Sequence, residues 1–163
     1  MKAENESKSA EGQARRLEDV YEEAAALLGR PGMVQRARVV PGEDEWSAGQ
    51  ILGHMVEIVP YWLGHCQEII AAAGEPYHFG RSLDDPDRLA AVQRPENEEP
   101  GVLLRLLNDE VRPAAQAIRQ MTPAERDRIG IYKEQNEMTV AEIIEVFIVA
   151  HAENHMDQMQ AAL

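Results

Sequence analysis

Four stretches of this chain carry apolar residues at steps of three and four, the spacing that lines one face of an α-helix. A helix with one apolar face must bury that face against another element, and four such helices can share a common core. The pattern therefore predicts an all-α fold, a four-helix bundle. The predicted helices cover about residues 12–29, 47–73, 99–121 and 139–163.

Two of these helices begin with a recognisable polar signal. Ser47 and Gln50 have the spacing of a capping box, in which the first residue and the residue three positions later satisfy each other's backbone N–H groups. Thr139 and Glu142 repeat that spacing. The signals fix the expected starts of the second and fourth helices. A third signal, Thr122 followed by Pro123, predicts a short extra helix.

Proline interrupts two of the predicted helices. Pro60 and Pro113 each lack a backbone N–H, so we expect a kink in the second helix and a kink or break in the third. The segments 30–46 and 128–138 are predicted to be loops, because turn-forming residues replace the helical pattern there.

The segment 74–98 connects the second and third helices and is long for a link between antiparallel neighbours. It can cross the whole bundle, which allows the second and third helices to run parallel and the second and fourth to run antiparallel. A short helical turn is expected after Asp85 and Pro86. The length of 163 residues suits one domain, predicted at 12–163 after a flexible polar tail at 1–11.

Composition excludes several classes of function. The formal net charge of −13 disfavours binding to nucleic acid or to an anionic membrane surface. A single cysteine, Cys66, excludes an internal disulfide and any multi-cysteine zinc site, and it fits a reducing cytoplasm. We find no apolar stretch typical of a signal peptide or a membrane span, so a cytoplasmic location is expected.

Histidines are the residues that suggest chemistry. His151 and His155 lie four residues apart on the inward stripe of the fourth helix, where two imidazoles can chelate one ion. His54 lies about 10 Å from the start of the second helix, and His155 about 10 Å from the end of the fourth. If these helices are antiparallel, the three histidines meet at one level and form a three-histidine metal site. The alternative is three core histidines hydrogen-bonded to backbone or carboxylate groups.

Two other histidines do not lie at this level of the bundle and are not expected to bind the same ion. His65 lies about 16 Å further along the second helix than His54, and His78 falls in the connector. Cys66 is expected to be buried and inert, and Trp46 to be a packing anchor before the second helix. Gln158 and Glu57, each one turn from a candidate ligand, are candidates to support the ligands or to relay a proton. Asp109 and Glu110 are weaker candidates, so no strong general base is evident.

These residues resemble a known family. The segments that carry the resemblance to the DinB/YfiT-like superfamily are Trp46-Ser47-x-x-Gln50-Ile51-x-x-His54 and His151-x-x-x-His155-x-x-Gln158. The resemblance implies a bundle of up-down-down-up topology and frequent homodimers. It also implies a divalent metal, often zinc or nickel, on His54, His151 and His155.

The function expected from the residues and the resemblance is that of a metal-dependent enzyme acting on a small molecule. The metal would activate water, as in a hydrolase, or a low-molecular-weight thiol, as in a thiol S-transferase. The alternatives are a non-enzymatic metal-binding or stress-response dimerisation module, and a plain helical scaffold. The site is expected to open towards 30–46, the end of the connector and the start of the third helix.

Overall fold

The structure is a computed structural model that describes residues 6–133 and 135–163, so part of the expected tail at 1–11 lies outside the described residues. The first helix begins at Ala10, slightly before the predicted start. The helices are α1 (Ala10–Leu28), α2 (Met33–Arg36), α3 (Ala48–Ala71), α4 (Pro86–Gln93), α5 (Pro100–Gln120), α6 (Pro123–Arg126), α7 (Val140–Ile143) and α8 (Ala150–Ala162).

The prediction of an all-α four-helix bundle is confirmed. The long helices α1, α3 and α5 pack together with the C-terminal helix, which is built from α7, a π-helical segment at Ile144–Val149, and α8. α5 packs against both α1 and α3, and α8 packs against α1 and α3. Fully buried aliphatic side chains from all four fill the core between them; they include Leu17, Leu52, Leu107 and Ile148. None of the described helices has both the length and the apolar character that a membrane span requires.

The capping signals form the contacts that the sequence predicts. The Ser47 N–H donates to Oε1 of Gln50 at 2.8 Å, and the Gln50 N–H donates to Oγ of Ser47 at 3.2 Å. Thr139 and Glu142 form the same reciprocal pair, at 2.8 and 3.2 Å. These caps fix where α3 and α7 begin, and the Ser47 cap thereby fixes the depth of His54 along α3.

Both internal prolines are accommodated inside continuous helices. α3 passes through Pro60 and α5 passes through Pro113, so the break considered at Pro113 does not occur. Each proline removes one backbone hydrogen bond. The packing of these long helices on either side of the proline holds the helical path together.

The C-terminal helix differs from the single α-helix that the sequence predicts. Its π-helical segment, Ile144–Val149, lies one residue before α8 begins and two before His151. In a π-helix each backbone hydrogen bond spans five residues instead of the four of an α-helix, so the turn holds one extra residue. Such turns are often found at functional sites. The extra residue changes the helical phase, so it helps to set which face of α8 turns towards α3.

A small sheet replaces the loop that was predicted at 128–138, and that prediction was wrong. Strand β2 (Ile129–Tyr132) pairs antiparallel with β3 (Asn136–Thr139), and β1 (His78–Phe79) from the connector pairs parallel with β2. The β-prone side chains of β2 favour an extended backbone. Gly130 packs closely on α3, and a Cβ there would force the end of the Ile69 side chain to move.

A close contact between a glycine of α3 and the backbone of α4 positions α4 against α3. Gly53 in α3 lies against the backbone carbonyl of Ala91 in α4, and a Cβ at Gly53 would collide with that oxygen. The predicted short helix after Asp85 and Pro86 is therefore present as α4, seated directly on α3. The glycine lies one residue before His54, so α4 is held at the level of the histidines.

Candidate metal centre

Three histidine side chains from two helices converge inside the bundle. His54 extends from α3, and His151 and His155 extend from adjacent turns of α8. One candidate ligand atom from each lies within 4.8 Å of the others. The ring centroid of His54 is 5.6 Å from that of His151 and 4.8 Å from that of His155. The structure thus brings together the three residues that the register argument placed at one level.

Burial keeps these imidazoles neutral. His54 is 2% exposed and His155 is 8% exposed. Burial, assisted by the neighbouring His155 and His151, lowers the pKa of His54 to about 3. Burial and the neighbouring His155 lower the pKa of His151 to about 4, and burial also lowers the pKa of His155. At neutral pH all three rings therefore offer lone pairs, the form that binds a metal.

Hydrogen bonds orient the pair on α8. Nε2 of His151 lies 2.8 Å from Nε2 of His155, and Nδ1 of His155 lies 2.8 Å from Oε1 of Gln158. An amide oxygen only accepts, so Nδ1 of His155 carries the proton and donates to Gln158. The Nε2 lone pair of His155 then points towards the other histidines. This arrangement matches the role considered for Gln158.

His54 has an unsatisfied buried nitrogen. Its Nδ1 finds no hydrogen-bond partner among the described residues. The nearest carboxylate oxygen, on Glu57, is 4.0 Å away and beyond hydrogen-bonding distance. Glu57 is instead held by both guanidinium nitrogens of Arg81, at 2.5 and 2.8 Å. Glu57 therefore adjoins the site without holding His54, and the sequence pattern gave no sign of its pairing with Arg81.

The donor set fits a divalent cation. The alternative of core histidines bonded to backbone or carboxylate groups predicts partners that His54, His151 and His155 do not have in the described part of the chain. Burying an imidazole without a partner is costly, and a metal ligand bond would offset that cost. Three imidazole nitrogens suit zinc, nickel, copper or iron.

An aromatic wall borders the histidines. The Trp46 ring lies 5.2 Å from the His54 ring and stacks at 5.9 Å on the His155 ring, with an interplanar angle of 16°. The guanidinium carbon of Arg88 lies 5.4 Å from the Trp46 centroid. The sequence identified Trp46 only as a packing anchor, although its position directly before Ser47 places it beside the first ligand.

A cavity of about 530 Å³ opens beside this wall. Residues of the predicted loop 30–46 line it, as expected, together with the end of α8. The connector contributes through Arg88 on α4 rather than through its end, and the start of α5 is not among the lining residues. The expectation that the end of the connector and the start of the third helix border the opening therefore does not hold for this cavity. Trp46, Arg88, His155 and Gln158 are among the residues that line this cavity.

The remaining candidates lie elsewhere. Nδ1 of His65 lies 3.1 Å from the Tyr77 hydroxyl, and His78 is exposed in β1. Cys66 is fully buried, and burial raises the pKa of its thiol to about 12, so it is inert at neutral pH. Asp109 and Glu110 on α5 belong neither to the histidine cluster nor to the cavity lining.

Known proteins with similar sequences or structures share this fold. The model of the DinB superfamily matches residues 13–159. A solved structure, YfiT from Bacillus subtilis, is described as a probable metal-dependent hydrolase with an unusual four-helix bundle topology. It is 14% identical in sequence, with a TM-score of 0.70 over 94% of this chain and 85% of that chain. A search among curated proteins finds no match.

Proposed function

Because the chain belongs to the DinB superfamily, we propose that it is a metal-dependent enzyme whose His54, His151 and His155 hold one divalent cation, zinc or nickel. The observation that carries this proposal is the convergence of three neutral imidazoles, with an unpaired nitrogen on His54. Three protein ligands leave a position open, which is typical of catalytic rather than structural zinc sites.

The bound cation would supply Lewis-acid chemistry and lower the pKa of water or a thiol at the open position. The protein's residues supply the rest. Gln158 fixes the His155 ring by accepting from Nδ1. Trp46 shields the His54 and His155 rings from solvent. Asp44 and Glu45 line the cavity and are the carboxylates from which a general base would come.

Hydrolysis of a small molecule is the reaction we propose first. The cavity of about 530 Å³ lies in the size range of small-molecule sites. The description of YfiT, which has a similar fold, as a probable metal-dependent hydrolase supports the same reaction class. The homodimer and the cytoplasmic location expected from the sequence stay predictions.

A hydrolysis panel of small esters and amides tests this function. Zinc-loaded or nickel-loaded protein is compared with chelator-treated protein, with His54→Ala, and with His78→Ala as a control outside the site. We expect turnover that disappears on chelation and in His54→Ala and persists in His78→Ala. Turnover that survives chelation contradicts a metal mechanism. A metal-loaded protein that hydrolyses none of these compounds but transfers a low-molecular-weight thiol in a parallel assay supports the S-transferase. One with no activity in either assay supports the metal-binding module.

A further inference from the structure

We propose that Arg88 binds a carboxylate group of the substrate, so that the cavity beside the histidines takes small carboxylate-bearing molecules. This inference rests on the proposed function and specifies its substrate class.

Arg88 is the cation that lines this cavity in the described part of the chain. Its side chain is half-buried on α4. Nη1 donates to the backbone carbonyl of Leu83 at 2.7 Å, while Nη2 and Nε donate to no described residue. No carboxylate among the described residues lies within ion-pair distance of Arg88, although Asp44 and Glu45 line the same cavity.

Some of the other half-buried arginines of this protein are neutralised by acidic partners. Arg16 binds Glu145 and Glu153, and Arg81 binds Glu57. Arg126 and Arg128 are also half-buried without an ion pair among the described residues, but neither lines this cavity. Arg88 differs from these two because it combines unused guanidinium donors with a place in a cavity, where a ligand can supply the counter-charge.

The position of Arg88 relative to the histidines suits a small ligand. Its guanidinium carbon lies 5.4 Å from the Trp46 centroid, and Trp46 in turn stacks on His155 at 5.9 Å. Arg88 and His155 line the same cavity. A ligand held by Arg88 at one end can therefore lie along Trp46 and reach the histidines with the other.

The chemistry of the cavity favours a carboxylate over a phosphate. The guanidinium fork matches the two oxygens of a carboxylate, and the bond to Leu83 fixes one side of that fork. Asp44 and Glu45 would repel a dianion more strongly than a singly charged group. Apolar lining from Ile51 and Ala162 accommodates an uncharged body.

The test measures binding to metal-free protein by calorimetry, so it does not depend on whether the histidines bind a metal. The probe is hippurate, which has an aromatic body, an amide and a carboxylate. The neutral comparison is hippuramide, and the phosphate-like comparison is N-benzoylaminomethylphosphonate. Arg88→Met removes the positive charge. Arg88→Lys keeps the charge but lacks the paired N–H donors of the guanidinium group. The matched control is Arg105→Met, at an exposed arginine outside the cavity.

We expect Arg88→Met to weaken hippurate binding about ten- to a hundredfold, the effect of losing charged hydrogen bonds. Arg88→Lys should be intermediate, Arg105→Met should match the wild type, and hippuramide should bind equally weakly to all variants. Equal hippurate affinity in wild type and Arg88→Met overturns the proposal, as does undetectable binding to the wild type. Tighter, Arg88-dependent binding of the phosphonate overturns the choice of a carboxylate. Failure of the metal proposal would appear instead as a wild-type protein that binds no metal, with the hippurate affinities of wild type and variants as expected here.

Discussion

Nε2 of His151 lies 2.8 Å from Nε2 of His155, on the next turn of α8. Two neutral imidazoles can share one proton at this distance, with one nitrogen donating and the other accepting. One candidate ligand nitrogen of each of these histidines also lies within 4.8 Å of one on His54 in α3. One cation bound by all three histidines would replace this shared proton and would also engage a nitrogen of His54.

Gln158 is expected to strengthen metal binding through His155. Its Oε1 accepts from Nδ1 at 2.8 Å and holds the ring with Nε2 facing the site. Loss of such a supporting contact lowers metal affinity about 10- to 100-fold. We therefore expect Gln158→Ala to reduce affinity by this factor in a competition titration with a chromophoric chelator. The control is Gln160→Ala, at an exposed position two residues away; equal affinities in the two variants would refute the role of Gln158.

The buried histidines should make metal-free protein less stable in mild acid. Their folded-state pKa values, about 3 for His54 and about 4 for His151, lie below the ordinary value of 6.5. The unfolded chain therefore binds more protons between these values, so stability is complete above pH 6.5 and falls as the pH drops. At pH 5 the loss is about 2 kcal/mol for each of the two residues.

Urea denaturation at pH 7 and pH 5, in the presence of a chelator, measures this loss. His54→Leu removes one of the titrating groups and should reduce the difference between the two pH values. An unfolding free energy that stays constant or increases from pH 7 to pH 5 would show that the histidines are not buried as neutral rings.

The packing of α4 on α3 depends on Gly53. A methyl group there would collide with the Ala91 carbonyl, and α4 can relieve the collision only by moving. We expect Gly53→Ala to destabilise the protein by about 1–3 kcal/mol, the usual cost of overpacking. Gly64→Ala in the same helix is the matched control, since a Cβ there has no neighbour within 4 Å. It should stabilise by up to about 1 kcal/mol. Thermal unfolding that ranks the two variants the other way would contradict this account of α4.

The sequence predicts most of what depends on helical periodicity. The cap at Ser47 determines the depth of His54, and the end of the C-terminal helix determines that of His155, so their common level follows from local rules. The hairpin of β2 and β3 could not be predicted in the same way, because its strands are short and depend on packing against Ile69 of α3.

Two features of the site could also not be predicted from the sequence. The π-helical segment at Ile144–Val149 has no residue signature that distinguishes it from an α-helix, since its side chains are those of any apolar helix. Arg88 could be placed on a short helix, but its position in the cavity depends on the contact of α4 with Gly53. Tertiary packing decides both features.

Metal content tests the central claim most directly. Protein purified without a histidine tag is analysed by mass spectrometry for bound metals, alongside His54→Ala, His155→Ala and the control His78→Ala. Our account predicts close to one divalent ion per chain in the wild type and in His78→Ala, and loss of most of that metal in the other two variants. Metal content that is unchanged in His54→Ala and His155→Ala, or a folded wild type that takes up no zinc or nickel, would contradict it.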